Sequence, residues 1–458
     1  MRIKAFTAAS ILILTAVTAA AADKPLSLHP DNPHYFLFRG KPTILLTSGE
    51  HYGAVLNADF DYVPYLDELK ERQFNLTRTF SGTYREDPSA FGIVDNTLAP
   101  KRFLSPWVRK AGKFDLKRYD SSYFARLKDF VAQAGKRGVV VELSLFCAIY
   151  NDKLWELNPM KADNNINGVG NGGRLDPYTG KDKGLTDLQE ALVRKIVSEL
   201  KDYDNVYYEI CNEPYFGGVT KEWNDRIAAV IADAEKDLPA RHLIAQNISN
   251  GSAKVESPNP NIGILNFHYC APPDAVALNY GLNRAIGFDE TGFLKTADLP
   301  YRTQAWDFFL AGGAVYSNLD YSYSVAHPDG TAKVTTSPGG GGPELRKQLA
   351  VLREFMDGFD FVRMKPDNAV IKDATMAKSA KATARALAEP GKAYAAYVKG
   401  GMRAELSLDL PRGAYKAEWV NTKTGAVDKA EDFDHDGGVR KLISPAYEED
   451  IALRIKAK

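Results

Sequence analysis

Between residues 41 and 356 the sequence alternates eight short apolar runs with amphipathic stretches, and this constrains the fold more than any other feature. Strands are expected at 41–51, 74–80, 138–146, 205–213, 242–248, 262–269, 285–290 and 314–320. Helical periodicity fills most gaps between them, at 59–73, 121–136, 186–200, 222–236 and 302–310, and closes the series at 344–356. Between the fifth and sixth runs only a short helix near 252–255 can be placed. Strands separated by helices pair in parallel, and eight of them over roughly 320 residues suit a (β/α)8 TIM barrel. A doubly wound open sheet is the competing arrangement. It calls for a glycine-rich phosphate turn after an early strand, which the sequence lacks.

From about residue 368 the pattern changes to short alternating strands at 380–387, 393–398, 404–409, 414–420, 439–443 and 451–455. Turn residues such as Pro390-Gly391 and Pro411-Arg412-Gly413 punctuate them, as in a small antiparallel β-sandwich. Lys365-Pro366 ends the helical pattern, so the barrel is expected over 23–364 and the sandwich over 365–458. Trp419 and Tyr397 are expected in the sandwich core, making the sandwich a structural brace.

Arg2 and Lys4 precede an apolar run and then small residues up to Ala22. That order marks 1–22 as a secretory signal, with an uncleaved anchor as the alternative. The mature chain is expected to be secreted or periplasmic, without a membrane span. Fifty-eight basic residues balance fifty-eight acidic ones, which argues against nucleic acid or an anionic surface as partner. The odd cysteine count, Cys147, Cys211 and Cys270, argues against a disulfide framework. Buried free thiols are expected, with one pair left open.

In the fourth strand, Tyr207, Glu209, Cys211 and Glu213 share one face, and Pro214 then stops the pairing. Glu213 is thereby left at the C-terminal tip, where barrels place catalytic groups. Glu290 closes strand seven. Two carboxyls three strands apart face each other across a barrel mouth, which suits glycoside hydrolysis: one protonates the leaving oxygen and the other attacks the anomeric carbon. A metal site would want His-rich strand ends, and only His51 and His268 fall at strand tips. No cofactor is expected.

Asn212-Glu213-Pro214 at strand four, Arg78 at the end of strand two, His268 at strand six and Glu290 at strand seven together resemble clan A glycoside hydrolases of the family 5 kind. The resemblance spans about 35–362. Phe38-Arg39-Gly40-Lys41-Pro42 and the loop from Trp155 to Gly168 are similar to the cellulase-like and apiosidase-like barrels. These often carry a C-terminal sandwich named for collagen binding, which the tail resembles at Tyr394, Tyr397, Trp419 and Asp450. The resemblance implies a carbohydrate substrate, Glu213 as general acid/base, Glu290 as nucleophile and Asn212 as donor to the sugar 2-hydroxyl. Arg78 would keep Glu290 charged, and Arg78 is also the expected partner of a structural Glu209.

The chain departs from that pattern twice. Cys270 stands where a tyrosine two positions after the histidine would bond the nucleophile, so Tyr269 or another residue must serve. Strand eight lacks a tryptophan platform, leaving Tyr321 or Tyr323 to stack on sugar. The Asn- and Gly-rich loop 147–184 reads as a cleft wall, with Trp155 either stacking on a sugar or pinning the loop. The glycine run at 337–343 reads as a flexible linker, and the acidic stretch 432–437 as a hairpin turn. A retaining glycosidase fits these features. A non-catalytic carbohydrate-binding or scaffold protein on the same fold is the alternative, and the oligomeric state stays open.

Overall fold

The computed structural model describes residues 24–92, 97–335, 338–376 and 382–458; the expected signal segment lies outside the described residues. Eight parallel strands form the barrel: β1 (Leu45–Gly49), β2 (Leu76–Phe80), β3 (Val140–Cys147), β4 (Val206–Asn212), β5 (Ile244–Asn250), β6 (Ile264–His268), β7 (Ala285–Glu290) and β8 (Val315–Leu319). All eight residues of β3 and all seven of β4 are buried. Covered on both faces, such strands need near-continuous apolar sequence.

The first strand is split, and the split closes the barrel. Its lower part pairs with β8, Leu45 opposite Val315. Past Glu50, the two-residue strand His51–Tyr52 pairs instead with β2, His51 opposite Arg78. Asn75 stitches the lower gap, accepting from the Leu46 N–H at 3.0 Å and donating to Ile44 O at 2.8 Å. Glu50 is buried at the break, where its carboxyl accepts from Gly53 N at 2.9 Å and from Thr97 Oγ1.

Amphipathic helices wrap the strands, and several start on a side-chain cap. Asp120 accepts from Ser122 N at 2.8 Å ahead of the helix Ser121–Lys136, and Thr220 caps Lys221–Ala234. The helix expected near 252–255 is absent: that stretch is loop, tied down where Asn279 accepts from Val255 N at 2.8 Å. A hairpin, Trp107–Lys110 with Lys113–Tyr119, enlarges the connection after β2.

The C-terminal sandwich packs a six-stranded sheet against a three-stranded one. Side-chain alternation gives the larger sheet two buried faces. Val398 and Trp419 point into the sandwich core, whereas Tyr397 turns to the barrel and stacks on Trp306 at 5.5 Å. The expectation that Tyr397 fills the sandwich core is therefore corrected. Arg302, on the helix Asp298–Leu310, reaches Asp450 of the sandwich at 2.7 Å, and Asp307 meets Arg385 at 2.5 Å.

Two local readings also change. Residues 432–435 belong to the strand Val427–His435, with the turn after it. The glycine run is packed rather than free: a Cβ on Gly341 (φ 83°) would sit 1.9 Å from Asp320 Oδ1, so only glycine fits. All three cysteines are free and buried. No helix among the described residues is long and apolar enough to cross a membrane.

Candidate active site

A cleft of about 620 Å³ opens at the C-terminal ends of the strands, with Tyr52, Tyr150, Asn212, Glu213, Tyr269 and Glu290 among its lining residues. Three of these have left-handed backbones: Tyr52 (φ 81°), Glu213 (φ 48°) and Tyr269 (φ 50°). Such residues cost on the order of 1–3 kcal/mol each and persist only where the surroundings over-determine them. At Glu213 the turn breaks the two-residue alternation of β4. Asn212 and Glu213 consequently both reach the mouth, and Asn247 of β5 accepts the Glu213 N–H at 3.1 Å.

The Glu213 carboxylate accepts from Tyr150 Oη at 2.6 Å and Tyr215 Oη at 3.4 Å, and meets His268 Nδ1 at 3.2 Å. Asn212 Nδ2 donates to Tyr150 Oη at 2.8 Å, which orients that hydroxyl. Burial alone would push the Glu213 pKa up. The hydrogen bonds from His268 and Tyr150, with the charges of His268 and Arg78, outweigh it and hold the group below the ordinary glutamate value.

Three donors converge on Glu290. Tyr269 Oη reaches one oxygen at 2.9 Å, while Arg78 Nη1 at 3.0 Å and a short bond from Tyr52 Oη meet the other. The carboxylate is thus fixed in orientation. A carboxylate oxygen of Glu213 lies within 4.8 Å of one of Glu290, with His268 beside both.

Beneath the floor lies a buried ionic network. Arg78 is fully buried, contacts Glu209 at 2.5 Å and Asn212 Oδ1 at 2.7 Å, and lies 3.6 Å from Asp289. Its guanidinium also sits over the Tyr52 ring at 4.4 Å. Ser144 donates to Glu209 at 2.5 Å, and Asn266 to Glu142 at 2.7 Å. Burial, then the charges of Asp289 and Glu209, push the Glu142 pKa far up. Burial opposes charge on His268, but Glu290 and Asp289 overcome it and hold the ring well above its ordinary pKa. Glu209, His268 and Asp289 have ligand-type atoms within 4.8 Å of one another, as do Glu213, His268 and Glu290. Arg78 supplies counter-charge to both groups, through Glu209 in the first and Glu290 in the second.

The structure brings together Glu213, Glu290, Arg78, Asn212, His268 and Tyr269. Tyr321 follows β8 and lines the cleft, whereas Tyr323 is buried against Tyr65. The backbone of His51 adjoins Arg78, but its side chain lies outside the described residues. Trp155 is corrected as a substrate contact: it is 4% exposed, absent from the cleft lining and donates to Gly172 O at 3.1 Å, which pins the loop. Tyr150, Asn151, Lys153 and Leu154 are what that loop gives the cleft. Sequence reasoning missed Tyr52, Tyr150 and Asp289. A tyrosine just beyond a strand end and an acid next to Glu290 were the available signals.

A (β/α)8 barrel with paired glutamates at the tips of strands four and seven is an arrangement that suits glycoside hydrolysis. Residues 65–279 match the model of the cellulase family, glycosyl hydrolase family 5. The barrel therefore carries a family 5 domain, and that domain makes the chain a glycosidase. No curated protein matches it. Among solved structures, a glycoside hydrolase family 5 protein from Bacteroides vulgatus superposes with a TM-score of 0.66 at 13% identity, over 94% of each chain. A second protein from that organism, titled a putative glycoside hydrolase, gives 0.64 at 14% identity, over 95% of this chain and 82% of its own. Another glycoside hydrolase gives 0.64 at 14%, over 95% and 97%. At such identities the likeness speaks to the fold, sandwich included.

Proposed function

We propose that the chain is exported and cleaves an O-glycosidic bond of a poly- or oligosaccharide by double displacement, with Glu290 as nucleophile and Glu213 as acid/base. The spacing of the two carboxylates carries the reading. Oxygens within 4.8 Å suit direct attack on the anomeric carbon, whereas inversion needs a gap of roughly 6.5–9.5 Å to seat a water. Glu290, held by Tyr52, Tyr269 and Arg78, attacks and forms the glycosyl-enzyme. Glu213 protonates the departing oxygen and then takes a proton from the incoming water. Asn212, fixed by Arg78 and Tyr150, is placed to meet the 2-hydroxyl.

The test is the stereochemistry of the first-formed product. Proton NMR of the initial hydrolysate should show the anomer of the substrate. The opposite anomer would refute double displacement, and no turnover across a panel of glycosides would favour the non-catalytic alternative.

A further inference from the structure

The outer part of the cleft is apolar in an unusual way. All five tryptophans are buried, none more than 4% exposed, so no indole offers a sugar-stacking platform. Phenylalanines stand at the mouth instead: Phe216 at 49% exposure, Phe91 at 57% and Phe293 at 42%, each lining the cleft. They come from three separate loops, and Phe91 meets Phe293 with ring centroids 5.5 Å apart. Both carry positive φ, 57° and 59°. A phenylalanine ring has no polar edge for a sugar hydroxyl.

The two acids on the same wall, Glu86 and Asp87, are already engaged. Glu86 accepts from Tyr84 Oη at 2.5 Å and from Asp87 N at 2.9 Å. Asp87 is paired with Lys153 at 2.5 Å and accepts from Ser89 N at 2.7 Å. These two acids therefore offer a second sugar ring few free acceptor sites. Phe216 lies three residues after Glu213, the group that protonates the leaving oxygen, and packs edge-on against Tyr150. That puts it on the leaving-group side.

Keeping the two-glutamate glycosidase reading above but replacing its all-sugar substrate, we infer that the leaving group is an apolar, non-sugar alcohol, alkyl or aryl, seated against Phe216 at the cleft mouth. The bond cut joins a saccharide to this aglycone. The glycone sits over Glu290, and the alcohol leaves with the proton from Glu213.

Matched methyl, octyl and 2-phenylethyl β-glycosides of glucose, mannose, galactose and xylose test this, with the corresponding β-linked disaccharides as the competing class. All three aglycones leave as aliphatic alcohols, so differences in kcat/KM report binding rather than leaving-group chemistry. For the sugar turned over, octyl or 2-phenylethyl should exceed methyl by at least about tenfold, which is what burying two methylenes is worth. The better of the two identifies an alkyl or an aryl source. Phe216→Ala should cut that ratio at least about fivefold, and Phe293→Ala provides a second reading at the mouth. Turnover without preference for the apolar groups, or with preference for the disaccharide, overturns the inference alone. No turnover of any compound overturns the glycosidase reading and this inference with it.

Discussion

Asp289 Oδ1 lies 3.6 Å from His268 Nε2, on the ring nitrogen opposite the one that faces Glu213. The ring is thus held between carboxylates: Glu213 from β4, and Glu290 and Asp289 from β7. Arg78 of β2 and Glu209 complete the charged groups of this floor. Because carboxylates outweigh burial here, His268 should keep its proton well above the pH where a free imidazole loses it. Histidine-labelled NMR should show this, with His268→Gln giving the assignment. Asp289→Asn removes one of the opposing charges, so the midpoint should move to lower pH. An unmoved midpoint would leave Asp289 a packing residue only.

The two glutamates should fail differently when removed. Glu290→Ala should abolish turnover of every substrate, since no other carboxylate is placed to attack. Glu213→Ala should still be glycosylated by an activated aryl glycoside, whose leaving group departs without a proton, and then stall. Azide should restore its turnover and yield a glycosyl azide of retained configuration. A Glu213→Ala enzyme equally dead on activated and natural substrates with azide present would remove Glu213 from the acid/base role.

Glu50 makes stability depend on pH. Burial lifts its pKa to about 7, against smaller opposing hydrogen bonds from Thr97, Gly53 and Ala54. A carboxyl raised in the folded state binds its proton more tightly there than in the unfolded chain. Its contribution is therefore complete below about pH 4.5 and is lost as pH rises through about 7. The loss is on the order of 3 kcal/mol. Thermal melts between pH 4 and 8 should show a steeper decline for the native chain than for Glu50→Gln, which mimics the protonated form. Parallel curves would mean that Glu50 is charged in the fold.

Arg302 should matter far more to stability than surface ion pairs of similar length. It is buried, and its partner Asp450 is 6% exposed. Arg302→Ala leaves that carboxylate in the interface and should cost about 3–5 kcal/mol. Lys347→Ala breaks an exposed pair with Glu344 of the same 2.7 Å length and should cost less than about 1 kcal/mol. Chemical denaturation separates the two outcomes. Equal small effects would show that the sandwich does not brace the barrel.

The barrel was legible because strands covered on both faces must be apolar throughout, and helices with one wet face must be periodic. The edge strand Val427–His435 escaped notice since it alternates charged residues and pairs only on one side. Glu213 and Glu290 could be found from strand-end position. Tyr52 and Tyr150 left only the weak signal of a tyrosine beyond a strand end, because the role of each depends on where another strand's carboxylate lies. Trp155 failed for the same reason: its burial is set by a loop closing on itself. Gly339, Gly340 and Gly341 looked like slack chain because what crowds them, Lys295, Tyr301 and Asp320 in turn, is distant in sequence.

The split first strand sets an order of events during synthesis. Ser48 donates to Asp320 at 2.8 Å across 272 residues of sequence, and Leu45 has its sheet partner in β8. As the chain emerges at roughly 5–20 residues per second, residues 45–49 must wait roughly 10–50 s for β8. Until then β1 has no paired strand, and the edge that awaits β8 is open to pairing with another chain. A nascent barrel therefore depends on whatever shields that edge on the ribosome, and slower synthesis between residues 50 and 315 should lower the yield of folded protein more than the same delay near the C-terminus.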